Sequence, residues 1–273
     1  MKSREDGRKF LAILVRHFPN HIPEQFGESE PLQGRFDAEM VDAALKTWGQ
    51  YEFIAQRQEP ILQLQVHFTV PSPVPKHSTI SLLQFQARSH IDVKSMETFV
   101  CEVSTVFGAD FAVAHILTKS ELTERLEILK TKPGGNVEYM KARVQKEGFA
   151  KVLWGMTVLK NHSLQVRNCL PDLSWLTVFG RPYVDMFGRE KILTAPASQI
   201  AELSNGAVAV KVTDHLDDNL ESWEEFKMIR ERCEKHLDHR AFCTPANPGQ
   251  RYLAPKFEFP LDMYSVDAAS SRQ

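Results

Sequence analysis

The 273-residue sequence predicts an α+β fold in which helices pack on a mainly antiparallel, or mixed, sheet. Two observations favour this class. Segments with strand and helix periodicity interleave without a regular β-α-β order, and several neighbouring strand-like segments are joined by links too short for a parallel crossover. A similar succession of strand, helix, paired strands and helix in each half suggests two related halves.

Hydrophobic periodicity assigns the elements of the first half. Apolar and polar residues alternate over 61–70, as in a strand with one buried face. Asp37 is the predicted N-cap of a helix in which Met40, Ala44 and Trp48 recur on one face. The predicted elements are a strand over 9–18, a helix over 36–54, strands over 61–70 and 79–88, a helix over 92–107, a strand over 111–117 and a helix over 118–130.

The clearest break in the chain is KPGGN at 132–136, where a hinge is expected. It separates a predicted N-terminal α+β half, 1–130, from a C-terminal α+β half, 131–273, and we expect the two to form one compact unit. The elements predicted after it are a helix over 137–147 capped by Gly148, a strand over 151–159, a core strand around 175–180, a short helix over 182–187, a strand over 205–212 and a helix over 220–237.

The composition, with 42% hydrophobic residues, 25% charged residues and a net charge of −2, is that of an ordinary globular protein. A balance so close to neutral gives no general attraction to nucleic acid. No apolar run approaches the ~18 residues needed to span a membrane, and the apolar run after Lys9 is too short for a signal peptide. The four cysteines are widely spaced, so we expect reduced thiols and a cytoplasmic location.

No familiar catalytic motif is present. The chain lacks the Gly-x-Ser-x-Gly turn of serine hydrolases and the glycine-rich loops that bind phosphates or dinucleotides. Asp172 and Ser174 lie in the conspicuous stretch LPDLSWLTVFG (170–180), but no general base or oxyanion-hole signature stands near them in the sequence. We therefore assign no catalytic residue and no cofactor, and we do not expect an enzyme.

One cluster has the residue types of a zinc site, namely Cys233, His236, His239 and Cys243. Positions three apart on a helix are rotated by about 300°, so a third ligand leaves the face shared by the first two. The favoured interpretation is a core cysteine followed by two solvated histidines at a helix C-terminus, where positive charge suits the helix dipole. No metal is therefore assigned.

An acidic stretch, DHLDDNLESWEE, precedes and opens the strongest predicted helix of the second half. The helix dipole stabilises carboxylates at this end, and basic residues later in the helix would balance them. Those basic residues are Lys227, Arg230, Arg232 and Lys235. The same acidic end is the predicted contact with a basic partner, and its predicted partner-binding residues are Asp214, Asp217, Asp218, Glu221 and Glu225.

Three stretches of the second half resemble the C-terminal part of bacterial polymorphic-toxin immunity proteins: LPDLSWLTVFGRPYVDMFGREKI, LSNGAVAVKVTD and DDNLESWEEFKMIRERCEKHL. The resemblance is to type VI secretion immunity proteins and the immunity-fifty-two family, and it covers roughly residues 165–240. In that group a Trp-Leu-Thr strand is followed by a Gly-containing segment, a Gly-turn strand, an Asp/Asn-rich loop and a final helix. The structural markers that carry it here are Trp175, Leu176, Thr177 and Gly180.

This resemblance implies an immunity protein, or antitoxin, that neutralises a cognate type VI secretion effector by stoichiometric protein–protein contact. The effectors linked to the group are nuclease toxins of the restriction-endonuclease-like class. The expected partner is thus the toxin, with no direct contact to nucleic acid or membrane, and a homodimer is left open. The segment TPANPGQRYLAPKFEFPLDMY (244–264) has no counterpart in the family pattern.

Two other classes of function stay open at this point. One is a metal-dependent hydrolase that uses the Cys/His cluster at 233–243 together with nearby aspartates. The other is a structural subunit or scaffold, for which the only support is the lack of motifs.

Overall fold

The computed structural model describes residues 3–29, 31–32, 34–36, 41–46, 48–49, 52–58, 61–67, 79–85, 92–131, 134–148, 152, 169–242 and 253–255. The chain divides into two compact units, whose described parts lie within Met1–Val103 and Ser104–Lys256. Each unit combines helices with one antiparallel sheet, so the predicted α+β class is confirmed. The predicted boundary between halves at 130–131 stays a prediction.

Unit 1 contains a five-stranded sheet and helices that come before and after its strands. The strand order is β2-β1-β3-β4-β5, with every neighbouring pair antiparallel. The strands are β1 (Gln25–Gly27), β2 (Gly34–Arg35), β3 (Glu52–Arg57), β4 (Ile61–His67) and β5 (Thr79–Phe85). The helices are α1 (Arg4–His17), α2 (Val41–Ala44) and α3 (Val93–Phe107), the last of which continues into unit 2.

The strand predicted over 9–18 is wrong, because these residues belong to α1. Ser3 caps the helix: its hydroxyl accepts the amide N–H of Asp6, and the Asp6 carboxylate accepts the amide N–H of Ser3 in return. This reciprocal capping box favours a helix start. The apolar run then places Phe10 and Leu14 on one buried face, and Phe10 packs against Phe99 with ring centroids 6.1 Å apart.

The helix predicted over 36–54 is also wrong over most of its described length: only Val41–Ala44 are helical, and Leu45 and Lys46 form a turn. Gly49, beyond the end of α2, has φ +90, a conformation outside a right-handed helix that glycine adopts without strain. The chain then enters β3, in which Phe53, Ile54 and Ala55 are buried and which pairs with β1 and β4. Pairing on both edges makes β3 an interior strand, and this tertiary context outweighs the local helical pattern.

Unit 2 contains a four-stranded sheet of order β6-β7-β9-β8, again fully antiparallel. Its strands are β6 (Phe111–Ala114), β7 (Leu176–Phe179), β8 (Gln199–Glu202) and β9 (Val208–Lys211). Its further helices are α4 (Lys119–Thr131), α5 (Val137–Glu147), α6 (Arg181–Phe187), α7 (Arg189–Leu193), α8 (Asp218–Glu221) and α9 (Trp223–Leu237).

Most of the predicted elements of this unit are confirmed. Gly148 ends α5 and Gly188 ends α6, with φ +85 and +87. The sequence missed β8 and α7, and the helix predicted over 220–237 is two helices, α8 and α9, separated at Ser222. The strand predicted over 151–159 lies outside the described residues except for Val152, which is helical, so the prediction is wrong at that residue.

Candidate functional site

The marker segment Trp175-Leu-Thr lies at the centre of the unit 2 sheet. Trp175 has no exposed surface, which confirms its predicted burial, and its indole Nε1–H donates to the carbonyl of Thr213 at 3.1 Å. Thr177 is equally buried, and its hydroxyl accepts the amide N–H of Ser174 at 3.1 Å. These residues therefore build the core of unit 2.

Gly180, the last marker, has a steric role. Its amide N–H donates to the carbonyl of Asp110 at 2.8 Å, directly after β7. A Cβ atom at this position would lie 2.0 Å from the carbonyl oxygen of Ala109 and 2.8 Å from Cα of Asp110. A residue without a side chain is required here, because the two backbones approach too closely for any other.

The predicted partner-binding carboxylates lie on the surface around the starts of α8 and α9. Asp217 and Asp218 are half-buried at the start of α8, and the other three side chains are exposed. Asp218 accepts the amide N–H of His215 at 3.0 Å, and Asp214 accepts a hydrogen bond from the hydroxyl of Ser198. The whole set is Asp214, Asp217, Asp218, Glu221 and Glu225.

Most of these carboxylates lack a basic partner in the part of the chain that the structure describes. No ion pair is formed there by Asp214, Asp217, Asp218 or Glu225. The balance expected from later basic residues of α9 is incomplete for a clear reason. Lys227 pairs with Glu124 at 3.0 Å, and Arg230 is buried. The negative charge at this end of the helix is thus left available to an external cation.

An exposed methionine lies beside these carboxylates, and sequence reasoning missed it. Met228 keeps 58% of its surface exposed, although it lies in the middle of α9. Glu224 and Glu225 precede it by four and three residues and therefore lie on the same helix face. Met228 falls outside the apolar stripe of α9, and an apolar residue on the polar face was the signal that could have found it.

A second site missed from the sequence is a cluster of buried and half-buried charged side chains in unit 2, which we call the interior cluster. It joins α4, the segment before β7 and α9. Its members are His115, Glu121, Glu124, Arg125, Asp172, Lys227, Arg230 and Glu234.

His115 is fixed on both sides of its ring. The amide N–H of Trp175 donates to Nδ1 at 3.2 Å, so Nδ1 is an acceptor and the ring hydrogen belongs to Nε2. Nε2 lies 3.2 Å from Oε2 of Glu121. Burial opposes ionisation of Glu121, but the hydrogen bond to His115 and the charge of Arg125 outweigh it and lower its pKa. Because both ring nitrogens are engaged, His115 holds the structure together and is not poised as a general base.

Arg125 and Asp172 form a partly buried ion pair beside this histidine. Burial opposes ionisation of Asp172, but the charges of Arg125 and Arg230 keep its pKa below the ordinary value. Arg230 is only 6% exposed and lies over the rings of Trp223 and Phe226, at 5.3 and 5.9 Å from the ring centroids. The two guanidinium groups therefore keep Asp172 ionised inside the protein.

Glu234 is the unusual member of the cluster. Its Oε1 accepts the amide N–H of Leu173 at 2.7 Å. Burial raises the pKa of Glu234, the negative charge of Asp172 raises it further, and the result is about 8 despite the opposing charge of Arg230. In the described part of the chain Glu234 forms no ion pair.

Two polar atoms in this region lack a hydrogen-bond partner among the described residues. They are Nε of Arg230 and Oδ1 of Asn219. The amide nitrogen of Asn219 donates to the carbonyl of Ile116 at 2.6 Å, which fixes the side chain. The position of Arg230 could have been inferred from the sequence, since it shares a helix face with Phe226, Cys233 and Leu237.

The Cys/His cluster does not converge in the described structure. Cys233 is fully buried, and burial raises the pKa of its thiol to about 11. His236 lies apart from it, with Nε2 2.8 Å from the carbonyl oxygen of Lys191, and His239 is exposed. Cys243 lies outside the described residues. Within those residues no group of three or more His, Cys, Asp or Glu side chains has the arrangement of a metal site.

The cysteines are not all reduced. Cys101 and Cys233 carry thiols, whereas Cys169 is disulfide-bonded. The prediction of reduced thiols is therefore wrong for Cys169. Wide spacing in the sequence does not decide pairing, because cysteines far apart in the chain are brought together by tertiary folding.

Comparison with protein-family models, curated proteins and solved structures gave no match to this chain. Among the described helices, none is both long and apolar enough to cross a membrane.

Proposed function

We propose that the protein is an immunity protein that binds a cognate type VI secretion effector in the cytoplasm and neutralises it stoichiometrically. The effector we expect is a nuclease toxin. The resemblance over roughly residues 165–240 supports the proposal, and so does the surface at the starts of α8 and α9. The observation that carries it is the set of carboxylates there, most of which have no ion-pair partner among the described residues.

The chemistry of this surface defines the partner it would fit. Negative charge that is not neutralised locally attracts a surface rich in lysine and arginine, and it accelerates association through long-range steering. Met228 adds an exposed, flexible apolar side chain beside the charge. A specific complex of this kind commonly buries about 1,600 Å² in total, so further contacts outside this surface are needed.

The first experiment is co-expression of the protein with the effector encoded beside its gene. We expect growth to be rescued and the two proteins to purify as a complex of fixed stoichiometry. Absence of both rescue and co-purification would dismiss the proposal.

The second experiment tests the acidic surface. The triple variant Asp214→Asn, Asp217→Asn and Glu225→Gln should weaken binding roughly tenfold, mainly by slowing association, since each rim charge contributes a fraction of 1 kcal/mol. The wild-type affinity should fall with added salt, and that of the variant should fall less. The matched control is Glu138→Gln, Asp185→Asn and Glu190→Gln, which removes three exposed carboxylates from other helices. Equal weakening by both triples would dismiss this surface as the contact.

A further inference from the structure

The charges of the interior cluster do not balance. Among the described side chains it contains four carboxylates but only three basic groups. The carboxylates are Glu121, Glu124, Asp172 and Glu234, and the basic groups are Arg125, Lys227 and Arg230. If every carboxyl were ionised, the cluster would carry one net negative charge. An uncompensated charge inside a protein is costly, so protonation of one carboxyl is favoured.

His115 does not supply the missing positive charge. A doubly protonated ring would place an N–H at Nδ1, facing the amide N–H of Trp175 only 3.2 Å away. Two donors facing each other repel, so the ring keeps a single hydrogen on Nε2. The thiol of Cys233, which neighbours Glu234 on α9, is uncharged as well, because burial raises its pKa to about 11.

The contacts indicate which carboxyl holds the proton. Asp172 pairs with Arg125, Glu124 pairs with Lys227, and Glu121 faces the Nε2–H of His115. Glu234 has only the neutral amide N–H of Leu173, at 2.7 Å. It is thus the carboxyl with the least compensation for a negative charge.

We propose that Glu234 holds a proton at neutral pH and that release of this proton is a switch that loosens α9 from the segment before β7. While Glu234 is protonated, Oε1 accepts the amide N–H of Leu173 without repulsion from Asp172. Once Glu234 ionises, its negative charge acts against that of Asp172, and the hydrogen bond to Leu173 must hold a half-buried anion. Because α9 also carries Glu225 and Met228, the switch would act on the helix that bears the acidic surface.

The direction of the pH effect follows from the proton count. The pKa of Glu234 in the folded protein is raised to about 8 from its ordinary value of 4.5. Between these two values the folded state binds a proton that the opened state has released. Opening therefore becomes easier as the pH rises, by up to about tenfold per pH unit, and this trend ends above about pH 8.

Amide hydrogen exchange of Leu173 in the full chain tests the proposal. After correction for the intrinsic exchange rate, its protection in the wild type should fall roughly fifteenfold between pH 6.5 and pH 8. Glu234→Gln reproduces the protonated carboxyl, so its protection should stay constant over that range. Glu231→Gln, an exposed carboxyl on the same helix, should behave like the wild type. Parallel curves for the wild type and Glu234→Gln would overturn the proposal.

A direct titration keeps the proposal testable if Glu234→Gln does not fold. In the wild type, the side-chain carboxyl carbon of Glu234 should titrate near pH 8 by NMR, well above the other glutamates. Titration in the ordinary range of a glutamate would show that Glu234 is ionised at neutral pH, and the switch would be rejected.

Discussion

Arg125 and Asp172 form an ion pair whose side chains retain only 17% and 20% of their exposed surface. The pair joins α4 to the segment before β7 and so fixes one side of the interior cluster. Two charges removed from water stabilise each other, but their desolvation is costly. Removing one of them leaves the other without compensation for that cost. Removing one charge of the pair should therefore destabilise the fold more than removing both.

Asp172→Asn should lower the free energy of unfolding by about 3 kcal/mol, because it removes the hydrogen-bonded ion-pair partner of the partly buried Arg125 and leaves it only the more distant charges of Glu121 and Glu124. Urea unfolding of the full chain measures the loss. The double variant Arg125→Met with Asp172→Leu removes both charges and should lose less than the single variant. A double variant that loses at least as much as the sum of the two single changes would contradict this explanation.

The same pair should make unit 2 sensitive to acid. The pKa of Asp172 in the folded protein lies below its ordinary value, as does that of Glu121. Both carboxylates therefore contribute stability that is complete above about pH 5 and is lost progressively as the pH falls through their ordinary and then their lowered values. Thermal unfolding between pH 5 and pH 3 should show a falling midpoint, and the fall should be smaller in Asp172→Asn. An equal fall in both proteins would contradict the assignment to Asp172.

Trp175→Ala should cost roughly 3–5 kcal/mol of unfolding free energy, as large truncations in a core do. Trp175→Phe keeps most of the apolar volume but leaves the carbonyl of Thr213 without its indole donor, so we expect a cost of about 1–3 kcal/mol. Urea-unfolding midpoints rank the two variants. A smaller loss for Trp175→Ala than for Trp175→Phe would contradict this view of the core.

Gly180→Ala should destabilise the protein by roughly 3 kcal/mol, because the new methyl group meets the backbone of Ala109 and Asp110. Gly108→Ala is the matched control: Gly108 has φ +58 and nothing within 4 Å of the position that a Cβ would take, so only a conformational cost of about 1 kcal/mol is expected. Thermal unfolding should separate the two. Equal shifts would mean that the close approach at Gly180 relaxes at little cost.

The disulfide of Cys169 gives a prediction about the thiols. Thiol labelling of the unfolded, unreduced protein should modify Cys101 and Cys233, and Cys169 should become reactive only after reduction. Disulfides are uncommon in the cytosol. Thiol trapping in intact cells therefore also tests the proposed cytoplasmic location, because a Cys169 that is oxidised there points to an oxidising compartment.

The sequence predicted elements well where the signal was strong and local. The cap predicted at Gly148 gave the end of α5 to the residue, and α6 ends at Phe187 as predicted. The start of α1 also has a local signal, because Ser3 and Asp6 have the spacing of a capping box. The strand prediction over 9–18 did not take this signal into account. At β3 no local signal was sufficient, because two neighbouring strands make it an interior strand.

The two sites differ in the same way. The acidic residues around the starts of α8 and α9 could be found as a run in the sequence, and the structure adds that most of them have no ion-pair partner within its described part. The interior cluster could not be found as a run in the sequence, because its contacts join distant residues: Leu173 and Glu234 are 61 positions apart in the chain. The sequence contains one indication of a buried charge, namely the position of Arg230 on the apolar face of α9.

The burial of Arg230 changes how α9 presents itself to other molecules. The helix has four acidic and four basic residues, so its formal charge is zero. Three of these eight side chains are turned inward or already paired, however: Arg230 and Glu234 belong to the interior cluster, and Lys227 pairs with Glu124 of a neighbouring helix. The side chains left to solvent are three glutamates and two basic residues, so a molecule that approaches from solvent meets a net negative charge on a helix whose composition is neutral.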